Sequence, residues 1–271
     1  MSTIWVLLTT LVATAIMMLL VWLLSVAKRD VSIVDIFWGL GFVLIAHVAC
    51  CLGGGYSGRK LLVTSLVTVW GVRLAVYLLW RNWGREEDYR YRAMRKHHGE
   101  RFAVVSLYTV FGLQGALMWV ISLPLQVAQQ APLPARLTWL DGVAALVWAS
   151  GLLFESIGDW QLARFKADPA SQGKVMNRGL WAYTRHPNYF GDAVVWWAFF
   201  LIALATPSGV YTIVSPLLMT FMLMRVSGVA LLERKLMKTR PEYDTYRQQT
   251  NAFVPWFPRR AGGPTNAPPR A

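Results

Sequence analysis

The sequence is poor in charge, and acidic residues are its scarcest charged type. Only 15% of its 271 residues are Asp, Glu, Lys or Arg, whereas 55% are hydrophobic. A soluble domain of this size needs more polar surface, so the composition excludes an ordinary water-soluble fold. Apolar runs near the length that crosses a bilayer as a helix fall at about 4–27, 36–52, 61–80, 103–127, 139–157, 190–206 and 210–232. The sequence therefore predicts an all-α integral membrane protein with seven transmembrane helices.

Motifs that indicate several other classes of protein are missing. The two cysteines, Cys50 and Cys51, are adjacent, which excludes a disulfide framework. No pattern of His, Cys, Asp and Glu has the spacing of a metal site, so we expect no metal. The glycine fingerprints of Rossmann domains and P-loops are absent, and so is the internal repeat that many transporters show.

The Lys and Arg residues are distributed unevenly between the segments that connect the spans. If the spans alternate in direction, 22 of the 27 basic residues fall on one side of the membrane. The other side has only Arg59, Lys60 and Arg136, and the remaining two lie inside spans. The positive-inside rule then predicts an N-terminus outside and a C-terminus in the cytosol. The same distribution explains the net charge of +13 without a nucleic-acid partner.

A few charged residues lie within or beside the apolar runs, where a charge is costly and often functional. They are Asp35, Arg73, Glu155, Asp192, Arg225 and Glu233. Structural ion pairs that fix helix packing are the plain alternative for each of them. Most fall toward the cytosolic side of the predicted topology, which favours a common cavity open to the cytosol.

The segment RHPNYFGD (185–192) places polar residues where a loop enters an apolar span. Pro187 suits the first turn of a helix, and Asn188 and Asp192 then share one face. Free backbone N–H groups at a helix start, flanked by Arg185, favour an anion site. The alternative is an interfacial belt that only anchors the helix among lipid headgroups.

Three segments carry a resemblance to a known family. GDWQLARFK (158–166), NRGLWAYTRHPNYFGD (177–192) and LLERKLMKTRPEYDTYRQQT (231–250) resemble the C-terminal region of the steroid 5-alpha-reductase family, especially its small bacterial members. Those proteins are seven-helix membrane reductases that use NADPH. Weaker matches are DVSIVDIFWGLGF (30–42) and RNWGREEDYRYRAMR (81–95). Isoprenylcysteine carboxyl methyltransferases share the His-Pro-x-Tyr-x-Gly element.

The resemblance implies an NADPH site in the C-terminal part of the chain. Together with the anion-site argument, it assigns the following residues to the cofactor: Asp159, Arg164, Lys166, Arg185, His186, Asn188, Tyr189, Asp192, Arg225, Glu233 and Tyr246. The basic residues among them suit phosphate groups, and the carboxylates suit ribose hydroxyls.

The resemblance also implies a catalytic set, which comprises Asp35, Trp70, Arg73 and Tyr77. Asp35 matches an acidic residue that polarises the substrate carbonyl, for which it would have to remain protonated. Trp70, three residues before Arg73, stands where the family has a tyrosine. Tryptophan donates a hydrogen bond but cannot supply a proton. The proton donor is therefore left open among Tyr77, Tyr89, Tyr91 and water.

We therefore expect NADPH-dependent reduction of the conjugated C=C bond of a 3-oxo-4-ene steroid or a similar lipophilic enone that enters from membrane lipid. One domain (1–258) would combine a catalytic half (about 1–127) and a cofactor half (about 139–258), before a disordered tail (259–271). The expected location is the plasma membrane of a bacterium, and the oligomeric state is open. An S-adenosylmethionine-dependent lipid methyltransferase and a non-catalytic lipid-binding or transport protein are the alternatives.

Overall fold

A computed structural model describes residues 2–226, 229, 233, 236–237 and 239–259. In this part of the chain the secondary structure is helical, without strands. The α-helices are α1 (Thr3–Lys28), α2 (Ile33–Leu52), α3 (Ser57–Asn82), α4 (Tyr89–His98), α5 (Phe102–Ser106), α6 (Leu113–Ile121), α7 (Leu123–Gln130), α8 (Trp139–Ala167), α9 (Pro187–Leu204), α10 (Val214–Phe221) and α11 (Tyr243–Gln249). Short 3-10 helices lie at Gly99–Arg101, Pro169–Ser171, Gly179–Ala182 and Gly209–Ile213, and π-helical turns at Leu107–Gly112 and Met222–Val226.

Within the residues that the structure describes, seven helical stretches are long and apolar enough to cross a membrane. They are Thr3–Lys28, Ile33–Leu52, Ser57–Asn82, Tyr89–Ile121, Trp139–Ala167, Pro187–Leu204 and Gly209–Val226. The prediction of seven spans in a multi-pass, all-α membrane protein is thereby confirmed. The orientation of the termini stays a prediction.

The largest shift of a predicted span is in the fourth stretch. The stretch begins at Tyr89, well before the apolar run at 103–127, because α4 and the 3-10 turn at Gly99–Arg101 lead directly into that run. It starts where Asp88 caps the first turn, with the carboxylate accepting a hydrogen bond from the Arg90 backbone N–H. The stretch ends at Ile121, and Pro124 lies in the first turn of the following helix α7.

The C-terminal segment differs more from its prediction. The sequence RPEYDTYRQQTNAFVPWFP (240–258) predicts an amphipathic helix that ends at a proline-bounded aromatic segment, but the helix comprises only Tyr243–Gln249. The chain after Thr250 is non-helical up to 259. Proline at 255 and 258 is consistent with this end, since it removes a backbone donor and disfavours helical geometry in the residue before it. Residues 260–271 of the predicted disordered tail lie outside the described residues.

The chain divides into two compact units. The first comprises Met1–Trp148 with Trp196–Leu218, and the second comprises Ala149–Val195 with Met219–Ala271. Helices α8, α9 and α10 each contribute residues to both units. The assignment of a catalytic half and a cofactor half stays a prediction.

In the first unit, α2 and α3 approach each other closely at two glycines. A Cβ atom on Gly39 would lie 2.5 Å from the carbonyl oxygen of Gly71, so the contact requires glycine at this position. Next to it, the buried rings of Phe42, Trp70 and Trp196 form an aromatic cluster with centroid distances of 4.5–5.8 Å. This contact brings the start of α2 beside the middle of α3.

In the second unit, α8 and α9 also meet through glycines. A Cβ on Gly151 would lie 2.8 Å from the carbonyl oxygen of Gly191. A Cβ on Gly158 would lie 3.0 Å from the backbone nitrogen of Asn188, in the first turn of α9. The close approach places the α8 face that carries Asp159 beside the start of α9.

Candidate functional site

Asp35 lies in the first turn of α2, where two side chains of α4 reach its carboxylate. The Tyr91 hydroxyl donates to Asp35 Oδ1 over 3.1 Å, and a guanidinium nitrogen of Arg90 lies 3.3 Å from Oδ2. Both contacts make Asp35 a hydrogen-bond acceptor, which differs from the protonated donor that the resemblance implies. The Asp35 side chain is 23% exposed, so the group remains accessible. We call Asp35, Arg90, Tyr91 and Gln114 the Asp35 network.

The Tyr91 hydroxyl is held from two sides. Gln114 Nε2 on α6 donates to the Tyr91 oxygen over 3.4 Å, and the tyrosine as a whole is only 5% exposed. Gln114 was missed in the sequence, although a single glutamine within the apolar run VFGLQGALM is itself a signal. Of the tyrosines considered as proton donors, Tyr91 is the one placed on Asp35.

The other predicted catalytic residues occupy different surroundings in the first unit. Trp70 is fully buried in the aromatic cluster. The Tyr77 ring lies between the guanidinium groups of Arg73 and Arg81, at 5.5 and 5.7 Å from its centroid. A groove of about 610 Å³ runs along this face of α3, lined by Thr68, Val69, Val72, Arg73, Val76, Tyr77 and Trp80. All of these lining residues belong to α3, so the groove is open on its other sides.

In the second unit, Arg185 is neutralised by its neighbours. Its Nε atom donates to Glu233 Oε1 over 2.8 Å, and its side chain is only 8% exposed. A second guanidinium nitrogen donates to the backbone carbonyls of Arg247 and Thr250, at 3.0 and 2.5 Å. The positive charge predicted to bind cofactor phosphate is therefore paired with a carboxylate inside the protein. We call Arg185, His186 and Glu233 the Arg185 latch.

His186 completes the Arg185 latch. Its Nε2 lies 3.2 Å from Glu233 Oε1, and its ring stacks on Tyr189 with centroids 5.6 Å apart. Burial lowers the pKa of His186, although contact with Glu233 opposes that shift. Burial by itself would raise the pKa of Glu233, but hydrogen bonds from His186 and Arg185 lower it to about 2.

A C-terminal segment, residues 250–256, is bonded to the chain just before α9. The Arg185 N–H donates to the Asn251 carbonyl and the Trp256 N–H to the Tyr183 carbonyl, each over 2.9 Å. Thr184 Oγ1 donates to the Phe253 carbonyl over 2.7 Å. Ahead of this segment, the Tyr246 hydroxyl donates to the carbonyl oxygen of Trp181. The predicted cofactor residue Tyr246 thus holds α11 against the segment that precedes α9.

The start of α9 faces a carboxylate of α8. Asn188 Nδ2 donates to Asp159 Oδ1 over 3.1 Å, and Asp159 is 4% exposed. The carboxamide oxygen of Asn188 is buried, and no hydrogen-bond partner for it is present among the described residues. Glu155, one turn before Asp159, is also buried. This end of α8 therefore carries two buried carboxylates beside an available acceptor oxygen.

The remaining predicted cofactor residues are more exposed. The Arg164 guanidinium lies 5.0 Å from the Trp160 ring centroid, and both Arg164 and Lys166 are at the surface. Arg225 is exposed, and Asp192 is partly exposed on α9. Within the described residues, no group of three or more His, Cys, Asp or Glu side chains is arranged to hold a metal ion.

Comparisons with known proteins place the chain in an uncharacterised group. A family model described as a protein of unknown function (DUF1295) matches residues 21–250. An uncharacterized protein of Schizosaccharomyces pombe is 24% identical over 261 residues, covering 86% of this chain and 75% of the yeast protein. No solved structure matches.

Proposed function

We propose that this chain, which belongs to the DUF1295 family, is a membrane reductase that uses NADPH to reduce a C=C bond conjugated to a ketone in a lipophilic substrate. The observation that carries the proposal is the Tyr91 hydroxyl held on Asp35, with Arg90 beside it. The resemblance to steroid 5-alpha-reductases supplies the reaction class. We place the protein in a bacterial plasma membrane, with its C-terminus in the cytosol.

The residues of the second unit fit a dinucleotide in part. The buried acceptor oxygen of Asn188 suits an N–H or O–H donor, as found on a carboxamide or a ribose. Asp159 is a carboxylate of the kind that binds ribose hydroxyls, and exposed Arg164 and Lys166 suit phosphate. Arg185 does not supply a phosphate-binding charge, because Glu233 neutralises it.

When bound, NADPH supplies the hydride that adds to the carbon far from the ketone. Negative charge then develops on the ketone oxygen, and the chain must stabilise it there. In the reaction the ketone oxygen would replace Asp35 Oδ1 as the acceptor of the Tyr91 hydroxyl proton, while Gln114 still holds the Tyr91 oxygen and Arg90 supplies positive charge nearby. Water restores the proton of Tyr91, so that each turnover consumes one NADPH and one proton and yields the saturated ketone.

The apolar part of the substrate also needs a binding surface. The groove along α3 has walls of valine and tryptophan and contains the polar side chains of Arg73 and Tyr77. The Gly39–Gly71 contact packs α2, the helix that carries Asp35, against another face of the same α3 segment. A ligand lying in hydrocarbon can reach such a groove sideways from the bilayer.

One observation favours a methyltransferase instead. Glu155 and Asp159 are buried carboxylates, and Arg185 contributes no free positive charge. Carboxylates are groups that can bind the ammonium and sulfonium cations of S-adenosylmethionine, whereas phosphates need cationic partners. The exposed pair Arg164 and Lys166 is the feature that favours NADPH.

A binding titration distinguishes the two cofactors. The purified full chain is heated with NADPH, NADH or S-adenosylmethionine, and the midpoint of thermal unfolding is followed. A ligand at about 100 times its Kd stabilises the folded state by about 2.7 kcal/mol, which is measurable. We expect stabilisation by NADPH. Stabilisation by S-adenosylmethionine alone would replace the reductase with a methyltransferase.

A further inference from the structure

The Glu87 carboxylate joins two loops that precede helices. One of its oxygens accepts the backbone N–H of Val31 over 2.9 Å. Arg95 donates to both oxygens, over 3.0 Å from Nε and 2.7 Å from a terminal nitrogen. The Glu87 side chain is only 8% exposed, and the proposed reaction gives it no role.

Neighbouring contacts strengthen the same junction. The Asp88 N–H donates to Ser32 Oγ over 2.6 Å, and Arg95 also donates to the Arg29 carbonyl over 3.3 Å. Burial would raise the pKa of Glu87, but the hydrogen bonds from Arg95 and the Val31 N–H lower it below its usual range. Glu87 is therefore ionised at neutral pH.

The contacts of Glu87 and Asp88 lie at the starts of α4 and α2. Ser32 immediately precedes α2, whose first turn contains Asp35, and Asp88 immediately precedes α4, whose first turn contains Tyr91. The Glu87–Val31 and Asp88–Ser32 hydrogen bonds thus tie the two helix starts together. Side chains within three residues of these bonds have little freedom to separate.

We propose that Glu87 is a positioning residue that holds the Tyr91 hydroxyl on Asp35 by joining the starts of α4 and α2. The inference rests on the proposed function, because it is that reaction which gives the Tyr91 hydroxyl its role. Glu86, the adjacent residue, offers a matched control. Its carboxylate binds Arg92 at the surface, and its side chain is 82% exposed.

The test compares Glu87→Ala, Glu87→Gln and Glu86→Gln in the full-length protein. We expect Glu87→Ala to lower kcat by about 10-fold to 100-fold, since small misplacements of a catalytic group are costly, with little change in the KM for NADPH. Glu87→Gln keeps an acceptor for the Val31 N–H and should lose less. Glu86→Gln should behave as the wild type.

A second readout does not depend on activity. A 3-fluorotyrosine incorporated at position 91 reports its hydrogen bond through the fluorine chemical shift. We expect Glu87→Ala to move that signal toward the position seen with Asp35→Asn, and Glu86→Gln to leave it in place. An unchanged signal in Glu87→Ala overturns the positioning role, whatever happens to kcat. If Glu87→Ala does not fold, Glu87→Gln, which gives up the charged contact with Arg95, should move the signal part of the way, and no movement there overturns the role.

The two readouts separate the inference from the proposed function. If the wild type reduces no enone, the proposed function fails, while the fluorine signal still decides whether Glu87 holds Tyr91. If the signal moves but kcat stays at the wild-type value, Glu87 does hold Tyr91 and the assignment of Tyr91 as proton donor is wrong.

Discussion

Two Arg–Asp pairs in the first unit are built differently. Arg59 of α3 binds Asp141 through two contacts, of 2.9 and 3.0 Å, and their side chains are 0% and 1% exposed. Arg90 of α4 reaches Asp35 through one contact of 3.3 Å, and those side chains are 34% and 23% exposed. Each aspartate lies in the first turn of a helix. We call the fully buried Arg59–Asp141 pair closed and the partly exposed Arg90–Asp35 pair open.

The partners of each pair show what the difference means. The Arg59 guanidinium also donates to the carbonyls of Pro134 and Arg136, and Asp141 accepts from the backbone and hydroxyl of Thr138. A buried pair whose bonds are supplied by the protein offers no accessible edge to a ligand. Asp35 instead keeps an accessible edge and holds a tyrosine hydroxyl, so a ligand can exchange for one of its partners. Breaking a closed pair should therefore lower stability, whereas breaking the partly exposed Arg90–Asp35 pair should lower activity.

The largest effect is expected from breaking the closed pair. Arg59→Ala leaves Asp141 buried without its counter-charge, which should lower the free energy of unfolding by about 3–5 kcal/mol. The double variant Arg59→Met with Asp141→Leu should recover most of that loss, because neither charge remains. Thermal unfolding in detergent measures both. If the single variant is as stable as the wild type, the pair is not the structural element described here.

The Arg185 latch contains a closed pair in the second unit, and it should make the folding stability of the protein sensitive to acid. The pKa of Glu233 falls from an ordinary value of 4.5 to about 2, so its contribution is present above pH 4.5 and is lost as the pH falls toward 2. A shift of that size corresponds to about 3 kcal/mol. His186, whose pKa is lowered by burial, should add an earlier loss as the pH falls below its ordinary value of 6.5.

Unfolding midpoints between pH 7 and pH 3 check the acid sensitivity of the latch. Glu233→Gln should be less stable than the wild type at pH 7, and the difference should shrink as the pH falls. His186→Gln should remove the earlier step alone. Parallel curves for wild type and Glu233→Gln would contradict the ion pair.

Changes to the Asp35 network, which contains the open pair, should lower catalytic activity. Tyr91→Phe removes one hydroxyl from the Asp35 network, and we expect kcat for enone reduction to fall by about 100-fold or more, the usual contribution of a general acid. Asp35→Asn should act similarly while leaving NADPH affinity nearly intact. Both variants should unfold within a few degrees of the wild type. Full activity in Tyr91→Phe would remove it as proton donor.

The smallest effect is expected at the surface. Glu86 and Arg92 form an exposed ion pair, so Glu86→Gln should change the free energy of unfolding by about 1 kcal/mol at most. Activity should not change. A large loss in either measurement would mean that exposure does not separate the functional pairs from the incidental ones.

The spans were predictable because a bilayer requires about 20 apolar residues for each crossing helix. Asp35 was also predictable, since a carboxylate beside an apolar run is costly. Its partner was not, because the choice among tyrosines depends on how α4 lies against α2, where Glu87 and Asp88 bind Val31 and Ser32. Those contacts join residues 56 apart in the sequence. Patterns within a short stretch of sequence therefore do not predict these contacts.

The predicted anion site at the start of α9 shows a second limit. The sequence correctly places Pro187 in the first turn of that helix. It does not reveal that Glu233, 48 residues after Arg185, neutralises the arginine. Charge at a site depends on which partners the fold supplies, and those partners are distant along the chain. The placement of NADPH on α8 and α9 therefore stays a proposal.

Hydride transfer tests the central claim most directly. The full chain in lipid nanodiscs is given a panel of 3-oxo-4-ene steroids and linear enones, with NADPH deuterated at the transferred position, and products are analysed by mass spectrometry. The proposal predicts a saturated ketone that carries one deuterium with the wild type, and a large loss of that product with Tyr91→Phe. An absence of deuterium transfer across the panel, together with binding of S-adenosylmethionine, would contradict it.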